Sequence, residues 1–581
     1  MKIKYLKVFT FGTVISMVST SIFAQSVVQI NKAQKFQTID GFGGFTSLNP
    51  SQYKSELLDK IVDDLGATIL RSTIPTDMEI KNDNNDPFNT NMDAYNLSVS
   101  DGTEQEVGPL RDLTPFLKAA MLKANASKEP MKLISSSWSP PGWMKYVNVT
   151  FGTDATWNRL ITLEWDQVHP ETDPKVRPVR DYKEEYAEYL IAYLKFFKQE
   201  TGFELYAISL QNEPVFAQNY MSCVYSPEAL AGLIRVTGRR IKAAGLSTKI
   251  FWSEDIGDLG RYAQYVNAVR LDTGGADKYA DIAACHAYNT TGTLAGSTSS
   301  STWDGMYRIS NRSRPRPFWM TETSGYGLGY EGAFELAKAM YVALKFGKVS
   351  AWVWWSISEN KSEETEYGLM INQSIQPKKY YASKNFYRYV RPEAVSVGAV
   401  CSTDVDILPL AFQHDANKTL TVVLINQSSS DKTITLDLKD PSVSPKKYAR
   451  YRTSSSENCI KIDSLSSTAT ITLPKESITT LIGNGSLPAT PTGNDDNVIA
   501  SESNNKLQIY PNPSQTGFFI QSIKAGQNIL KIKLLNQQGV EIIHMDYPND
   551  STEMYINTEK LANGIYILEY NNQHQKIVIN K

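Results

Sequence analysis

Two apolar stretches of the sequence end in a glutamate. Residues 207–213 read Ala-Ile-Ser-Leu-Gln-Asn-Glu and are followed by Pro214, and residues 317–322 read Pro-Phe-Trp-Met-Thr-Glu. Pro214 cannot continue a strand ladder, so we expect a turn that leaves Glu213 at the mouth of a strand. Two carboxyl groups suit glycosidic bond cleavage. One protonates the leaving oxygen. The other attacks the anomeric carbon if the two carboxyl groups are about 5 Å apart, or activates a water molecule if the gap between them is wider.

Other apolar stretches end in polar or aromatic residues. Taken singly, these residues have structural explanations: Arg71 could form an internal ion pair, and the tryptophans could be core. Their recurrence at successive predicted strand ends favours one shared site. The set comprises Arg71, Trp138, His286, Tyr288 and Trp355.

Alternating strand and helix signals position these residues. The clearest helix has Ser226 as N-cap, Pro227 in its first turn and Gly245 as its stop. Repeated β-then-α units predict an α/β fold, either a (β/α)8 TIM barrel or a doubly wound sheet. The first strand is not followed by Gly-x-Gly-x-x-Gly, which argues against dinucleotide binding.

The motifs as a set resemble glycoside hydrolase family 30, whose members share a (β/α)8 barrel and retaining chemistry. The matching stretches follow the family's order: Gly-Phe-Gly-Gly at 41–44, Trp-Ser-Pro-Pro-Gly-Trp-Met-Lys at 138–145, Gln-Asn-Glu-Pro at 211–214, His-Ala-Tyr at 286–288, Trp-Met-Thr-Glu at 319–322 and Val-Trp-Trp-Ser at 353–356. The resemblance implies that Glu213, on the fourth barrel strand, is the acid/base and that Glu322, on the seventh, is the nucleophile.

The resemblance also implies a sugar subsite around the two glutamates. Asn212 would hydrogen-bond the sugar 2-hydroxyl, and Tyr288 would contact the nucleophile. Asp77 is a further candidate for a hydroxyl contact. The remaining candidates would line the −1 subsite: Arg71, Trp138, His286 and Trp355.

Several functions stay open within this class. We expect no cofactor, and five scattered histidines without an His-Glu-x-x-His motif argue against a catalytic metal. Family substrates include glucuronoxylan, β-1,6-glucans or galactans, and β-glucosides of the glucosylceramide type. The mostly acidic residues 358–364 disfavour a strict glucuronate requirement. The alternative is a catalytically inactive barrel that binds extracellular carbohydrate.

The chain divides into six predicted segments. Three lysines followed by an apolar run predict a cleaved signal peptide, with a membrane anchor as the competing interpretation. Short strand signals after the barrel predict a β-sandwich side domain that the first strands of the mature chain complete. The segments are a signal peptide at 1–24, N-terminal sandwich strands at 25–39, the barrel at 40–392, the sandwich at 393–485, a linker at 486–505 and a small all-β domain at 506–581.

The C-terminal segment has its own resemblance. The stretches at 507–513, 536–539 and 561–566, with the ending Lys-Ile-Val-Ile-Asn-Lys, are similar to the sorting domain of the type IX secretion system of Bacteroidetes-type bacteria. A carbohydrate-binding module is the alternative. The resemblance implies the type IX machinery as a partner, and a secreted or cell-surface protein exported through the periplasm of a Gram-negative bacterium.

Charge and cysteine content add little to the choice of partners. The net charge of −2 gives no reason to expect nucleic acid as a partner. After the N-terminal segment, no stretch is apolar and long enough to predict a transmembrane span. We expect a monomer. The four cysteines could pair in an exported protein, although sequence alone does not fix the pairs.

Overall fold

The chain forms two compact units, Met1–Asp495 and Asp496–Lys581. The structure is a computed structural model. It describes residues 26–46, 54–84, 86–98, 109–162, 181–288, 300–439, 445–483, 507–510, 517–522, 532–536, 540–545, 553–570 and 573–580. The predicted signal peptide (1–24) and linker (486–505) lie outside the described residues.

The first unit contains a closed barrel of eight parallel strands. Strand β1 (Ser26–Thr38) precedes the barrel and belongs to a separate sheet. The barrel excludes the doubly wound alternative and confirms the predicted fold class. Its strands are β2 (Gly41–Phe45), β3 (Ile69–Thr73), β4 (Lys132–Ser136), β5 (Ala207–Ser209), β6 (Lys249–Asp255), β7 (Ile282–His286), β8 (Phe318–Glu322) and β9 (Ala351–Trp354).

The barrel interior is filled by side chains rather than left as a channel. Branched, aromatic and small residues from these strands form one buried cluster around Trp319 and Phe251. Gly43 is required by close packing, because a Cβ there would lie 1.7 Å from the Ile69 carbonyl oxygen. This explains part of the Gly-Phe-Gly-Gly motif, which forms β2.

Helices alternate with the barrel strands. The predicted capping is confirmed: Ser226 Oγ accepts a hydrogen bond from Ala229 N at 3.1 Å, and Gly245 has a φ of +68°. A later helix begins at Gly329 and ends in a π-helical turn, Ala343–Gly347. The α-helices are α1 (Ser55–Leu58, continued by the π-helix Asp59–Leu65), α2 (Leu110–Ala126), α3 (Lys183–Thr201), α4 (Pro227–Ala243), α5 (Leu259–Leu271), α6 (Ser300–Ser310), α7 (Gly329–Val342) and α8 (Lys378–Tyr387); the 3-10 turns are Met92–Ala94, Gly142–Met144 and Ala276–Lys278.

A nine-stranded sheet forms the side domain of the first unit. The short pair β10 (Ser358–Glu359) and β11 (Met370–Ile371) stands apart from it. The sheet contains β1 together with β12 (Val395–Cys401), β13 (Ile407–His414), β14 (Thr419–Asn426), β15 (Lys432–Leu438), β16 (Lys447–Thr453), β17 (Ile460–Ser466), β18 (Ile471–Leu473) and β19 (Ser477–Gly483).

This sheet is built from both sides of the barrel in sequence, as predicted. Strand β1 lies between β12 and β15, and strands near both edges of the sheet contribute to one core, with Tyr448 from β16 and Ile471 from β18. The sheet therefore encloses its core as a sandwich does. The strand pair expected within 27–39 is wrong: β1 is a single strand with two register shifts against β12.

The second unit consists of short β-strands around a small core. One sheet has the order β20-β21-β24, the other β23-β22-β25-β26, and Tyr566 is buried between apolar neighbours. The strands are β20 (Leu507–Tyr510), β21 (Gly517–Ser522), β22 (Ile532–Leu535), β23 (Glu541–Met545), β24 (Glu553–Asn557), β25 (Gly564–Tyr570) and β26 (Gln573–Ile579).

Two further expectations can be compared with the structure. The four cysteines, which the sequence left as possible pairs, all lie in described residues, are buried and form no disulfide. Within the described part of the chain, none of the helices has the length and apolar character that a membrane span requires.

Candidate active site

Glu213 and Glu322 meet at the carboxyl ends of the barrel strands. Glu322 is the last residue of β8, the seventh barrel strand, and Glu213 follows the end of β5, the fourth. Their carboxylate oxygens and a ring nitrogen of His286 lie within 4.8 Å of one another. Two carboxyl groups this close match the separation of about 5 Å that direct nucleophilic attack requires, and leave no room for a water between acid and base.

The backbone at Glu213 adopts a conformation that non-glycine residues rarely take. Its φ is +45°, in the left-handed region, and the preceding Asn212 donates its backbone N–H to Ser137 O at 2.6 Å. Pro214 ends the possibility of further pairing. Such strained positions cost on the order of 1–3 kcal/mol and concentrate at functional sites.

Arg71 is the centre of the buried polar network. Its side chain has no solvent exposure and donates to Glu322 Oε2, to Asn212 Oδ1 at 2.7 Å and to Glu254 Oε1 at 3.0 Å. Its Nε donates to Ser136 Oγ at 3.0 Å. One guanidinium thereby holds groups on, or directly after, four strands of the barrel. Its planar set of N–H donors makes this possible, whereas a lysine ammonium could not reach all four groups.

His286 joins three carboxylates. Its Nδ1 lies 3.0 Å from Glu213 Oε1 and 3.8 Å from Glu322 Oε1, and its Nε2 lies 3.4 Å from Glu254 Oε1. Burial opposes the charged form, but the negative charge of Glu322 and the hydrogen bonds to Glu213 and Glu254 raise the pKa of His286 to about 10. The side chain is therefore an imidazolium at neutral pH.

Glu322 is held more completely than Glu213. It accepts from Arg71 and from Tyr288 Oη, the latter at 3.0 Å. Burial raises the pKa of the Glu322 carboxyl, while the positive charges of His286 and Arg71 oppose that shift and the charge of Glu213 adds to it.

The group Glu213, His286 and Glu322 has the spacing of a metal site. A metal ligand must offer a free lone pair, however, and both ring nitrogens of His286 face carboxylate oxygens as donors. The geometry is therefore that of a hydrogen-bonded ion cluster.

Three aromatic rings form one wall of the site. Phe45 stacks on Trp355 with ring centroids 4.0 Å apart, and Trp138 lies 5.6 Å from Phe45 and 5.9 Å from Trp355. The guanidinium of Arg71 lies 4.8 Å from the Trp138 ring. Aromatic faces beside buried carboxylates suit the apolar C–H face of a sugar ring and lower the local dielectric.

Asp77 lines an open cleft. This cleft of about 340 Å³ lies between the loops that follow β3 and β4 and contains the exposed side chains of Ile80 and Phe151. Phe151 forms an isolated backbone β-bridge with Met221, and Met221 packs against Trp138 and Phe45. The cleft therefore adjoins the aromatic wall. Its lining residues are Asp77, Glu79, Ile80, Pro141, Gly142, Trp143, Asn148, Val149, Thr150 and Phe151.

Three residues of the site were not predicted from the sequence. Glu254 is the last residue but one of β6 and follows the apolar run Ile-Phe-Trp and Ser253, a signal close to the one that identified Glu322. Phe45 directly follows the glycine motif. Tyr220 lies in a loop without a local signal and packs against Phe45 and Trp138. Burial, together with the charges of Glu213 and Glu322, raises the pKa of its phenol to about 12.

Known proteins resemble two parts of the chain. Residues 508–581 match the family model of the secretion system C-terminal sorting domain. The chain is 24% identical over 369 residues to glucuronoxylanase XynC of Bacillus subtilis (strain 168), covering 62% of this chain and 76% of that protein. It is 28% identical over 272 residues to endo-1,6-beta-D-glucanase neg1 of Aspergillus fumigatus, covering 43% of this chain and half of the fungal protein.

The fold has the same relatives. The crystal structure of a GH30 endoxylanase from Clostridium papyrosolvens aligns with a TM-score of 0.59 at 21% identity, covering 79% of this chain and all of that one. In sequence and in fold the chain resembles glycoside hydrolases of family 30. It is a β-glycoside hydrolase, and its sorting domain marks it as secreted or carried to the cell surface.

Proposed function

We propose that this glycoside hydrolase cleaves its β-glycosidic bond by double displacement, with Glu322 as nucleophile and Glu213 as acid/base. The observation that carries the assignment is the unequal anchoring of the two acids. Glu322 accepts hydrogen bonds from Arg71 and Tyr288, whereas Glu213 faces His286; their side chains are 8% and 12% exposed. A nucleophile must be held in line with the anomeric carbon, and an acid/base must exchange protons with water.

The remaining site residues receive roles from their positions. Asn212, oriented by Arg71, is within the cluster that would surround the sugar 2-hydroxyl, where interactions strengthen in the transition state. Trp138 and Trp355 provide the wall of the −1 subsite. Asp77 would contact a hydroxyl of a sugar unit that extends into the cleft.

We propose a neutral β-glycan as the substrate, with β-1,6-glucan as the first candidate. Carboxylates line the side cleft at Asp77 and Glu79. Residues 358–368 also contain four glutamates and one lysine. This segment lies next to Trp355, because Tyr367 O accepts a hydrogen bond from Ser356 N at 2.6 Å. A glucuronate carboxylate would therefore meet negative charge both at the side cleft and at this segment.

Glucuronoxylan is the second candidate, because the bacterial relative with the longest alignment bears the name glucuronoxylanase. An inactive carbohydrate-binding barrel is disfavoured, since binding alone needs neither the close pair Glu213 and Glu322 nor the strained backbone at Glu213.

The substrate proposal is tested by product sizing. Purified enzyme is incubated with linear β-1,6-glucan, β-1,6-galactan, glucuronoxylan and the same xylan after removal of its glucuronate. We expect release of oligosaccharides from a neutral glycan, and loss of that release in Glu322→Gln. Cleavage of glucuronoxylan that disappears when glucuronate is removed would overturn the proposal.

The sorting domain supports an export route. We propose that the signal peptide takes the chain to the periplasm of a Gram-negative bacterium, and that residues 508–581 pass it to the type IX machinery. We further propose that the mature enzyme acts as a monomer, because all the groups of the candidate site come from one chain.

A further inference from the structure

Glu254 is a buried acid that the two-glutamate reaction does not itself require. Its Oε1 lies 3.0 Å from Arg71 Nη2 and 3.4 Å from His286 Nε2, and its side chain has no solvent exposure. The backbone there forms a bulge: Ser253 and Glu254 have φ values of +81° and +42°, and the register against β7 shifts between Ser253 and Asp255. Strain of this kind persists where the surrounding structure requires it.

The charges of the cluster balance before the reaction. In the proposed roles the acid Glu213 starts with the proton that it will donate, so Arg71 and His286 are the positive groups and Glu254 and Glu322 are the negative ones. Although burial opposes ionisation, the charges of Arg71 and His286 lower the pKa of Glu254 to about 2, so its negative charge is permanent.

The charges also balance in the covalent intermediate. A Glu322 oxygen forms a bond to the anomeric carbon as the bond from that carbon to the leaving oxygen breaks, and the Glu213 proton passes to that oxygen. Glu322 becomes a neutral ester, and Glu213 becomes the carboxylate. The negative charge has moved between two acids that both face His286 Nδ1, at 3.8 Å and 3.0 Å.

We propose that Glu254 is a positioning residue that holds His286 as an imidazolium through both steps, so that one fixed positive charge serves Glu322 first and Glu213 second. This inference rests on the proposed roles of the two glutamates. Glu254 supplies the negative counter-charge at Nε2, the ring nitrogen that does not face Glu213. The same Glu254 oxygen accepts a hydrogen bond from Arg71.

Among the described residues, three carboxyl groups and one phenol face His286. Glu213 comes from the loop after β5, Glu254 from β6 and Glu322 from β8, while Tyr288 lies edge-on with its ring centroid 6.0 Å away. Arg71 is the second cation and donates to the same Glu254 oxygen that faces His286 Nε2. Without Glu254, Arg71 and His286 would have one carboxylate fewer between them. The pKa of the buried imidazole would then fall, because burial disfavours its charged form.

Nitrogen NMR of the imidazole tests the proposal without any substrate. The full chain is labelled with ¹⁵N-histidine, and the signal of His286 among five histidines is identified by its loss in His286→Asn. We expect the imidazolium signature in the wild type at pH 8.5. We expect Glu254→Gln to lower the titration midpoint by more than about one pH unit, and Glu254→Asp, which keeps the charge, to restore it.

Glu129→Gln is the matched control. Glu129 is likewise a buried acid between two cations, Arg388 and Arg391, away from the site. It should cost stability without altering His286. A neutral His286 in the wild type, or an unchanged imidazolium in folded Glu254→Gln, overturns the proposal.

Kinetics on 2,4-dinitrophenyl β-glycosides of glucose, galactose and xylose provide the second measurement. These leaving groups need no general acid. On the glycoside that the wild type hydrolyses, the alkaline limb of the pH profile of kcat therefore reports the titration of groups other than the acid. We expect this limb to move to lower pH in Glu254→Gln and to stay in place in Glu129→Gln. An unmoved limb contradicts the proposal. Failure of all three glycosides and all glycans would count against the proposed function, while the NMR result would still decide the role of Glu254.

Discussion

Arg71 Nη2 lies 3.0 Å from Glu254 Oε1, and neither side chain has any solvent exposure. This pair connects the second and fifth strands of the barrel and carries the guanidinium that also holds Glu322. Buried charges of this kind depend on one another, because removal of one partner leaves the other uncompensated.

Replacement of Arg71 should therefore affect both stability and activity. We expect Arg71→Lys to lower the free energy of unfolding by about 3 kcal/mol, since an ammonium cannot reach Glu254, Asn212 and Glu322 together. Activity should fall in kcat more than in KM, because Glu322 loses its orientation. Denaturant unfolding and steady-state kinetics measure the two effects. A variant with wild-type kcat would show that Arg71 is structural only.

The side cleft predicts a dependence on substrate length. Phe151 is an exposed ring in a cleft next to the aromatic wall. We expect Phe151→Ala to raise KM for an oligosaccharide or polymer and to leave an aryl monoglycoside unaffected, because only the longer substrate reaches the cleft. Phe88→Ala, which removes another exposed ring outside the cleft lining, is the control. Equal effects of Phe151→Ala on both substrates would exclude an extended binding site here.

Glu188 should make the enzyme less stable as pH rises. Burial raises the pKa of its carboxyl to about 7, with a hydrogen bond from Thr90 opposing the shift and the charge of Asp83 adding to it. The folded state therefore holds a proton that the unfolded state releases near pH 4.5, and stability is lost as pH rises from there through 7.

Glu188→Gln removes this titration. We expect the variant to match the wild type near pH 4.5 and to be more stable at pH 8, by up to about 3 kcal/mol. Melting temperatures at the two pH values measure the difference. Glu200→Gln, on the same helix α3, should show no such pH-dependent gain. A Glu188→Gln variant that is less stable at pH 8 would show that the ionised carboxylate is stabilising.

The C-terminal unit should be needed for export and not for catalysis. A chain that stops at Gly483 keeps the barrel, the side sheet and every residue of the candidate site. We expect unchanged kcat and KM for the purified truncated enzyme, and its retention inside the native cell. Loss of kcat on truncation would assign residues 508–581 a second role beyond sorting.

Local sequence patterns predicted most of the fold because each barrel strand is a short apolar run with its own boundaries. The apolar stretch 317–322 forms β8 and ends at Glu322 as predicted, and helix α4 begins and ends at its predicted caps. Strand β17 lacks such a signal, because it is half-exposed and polar and contains no apolar run. The single strand β1 was read as two because its register shifts, which accommodate extra residues against β12, resemble a turn in sequence.

The candidate site was predictable where chemistry coincides with a strand end. Glu254 shows that pattern and could have been found by it. Tyr220 could not, because its position against the aromatic wall depends on the path of the long loop between β5 and α4. Asp77 was expected to contact the sugar, and its place at the side cleft depends on how two loops pack, which no local pattern encodes.

Azide rescue of the two glutamate variants tests the central assignment most directly. Glu213→Ala and Glu322→Ala are each given a 2,4-dinitrophenyl β-glycoside with sodium azide, and the anomeric configuration of the azide product is read by proton NMR. In Glu213→Ala the glycosyl-enzyme still forms, and azide should attack it to give the β-glycosyl azide, while bare glycan stays nearly uncut. Glu322→Ala forms no covalent intermediate and should give at most the α-azide by direct attack. A β-azide from Glu322→Ala, or an α-azide from Glu213→Ala, would contradict the assignment.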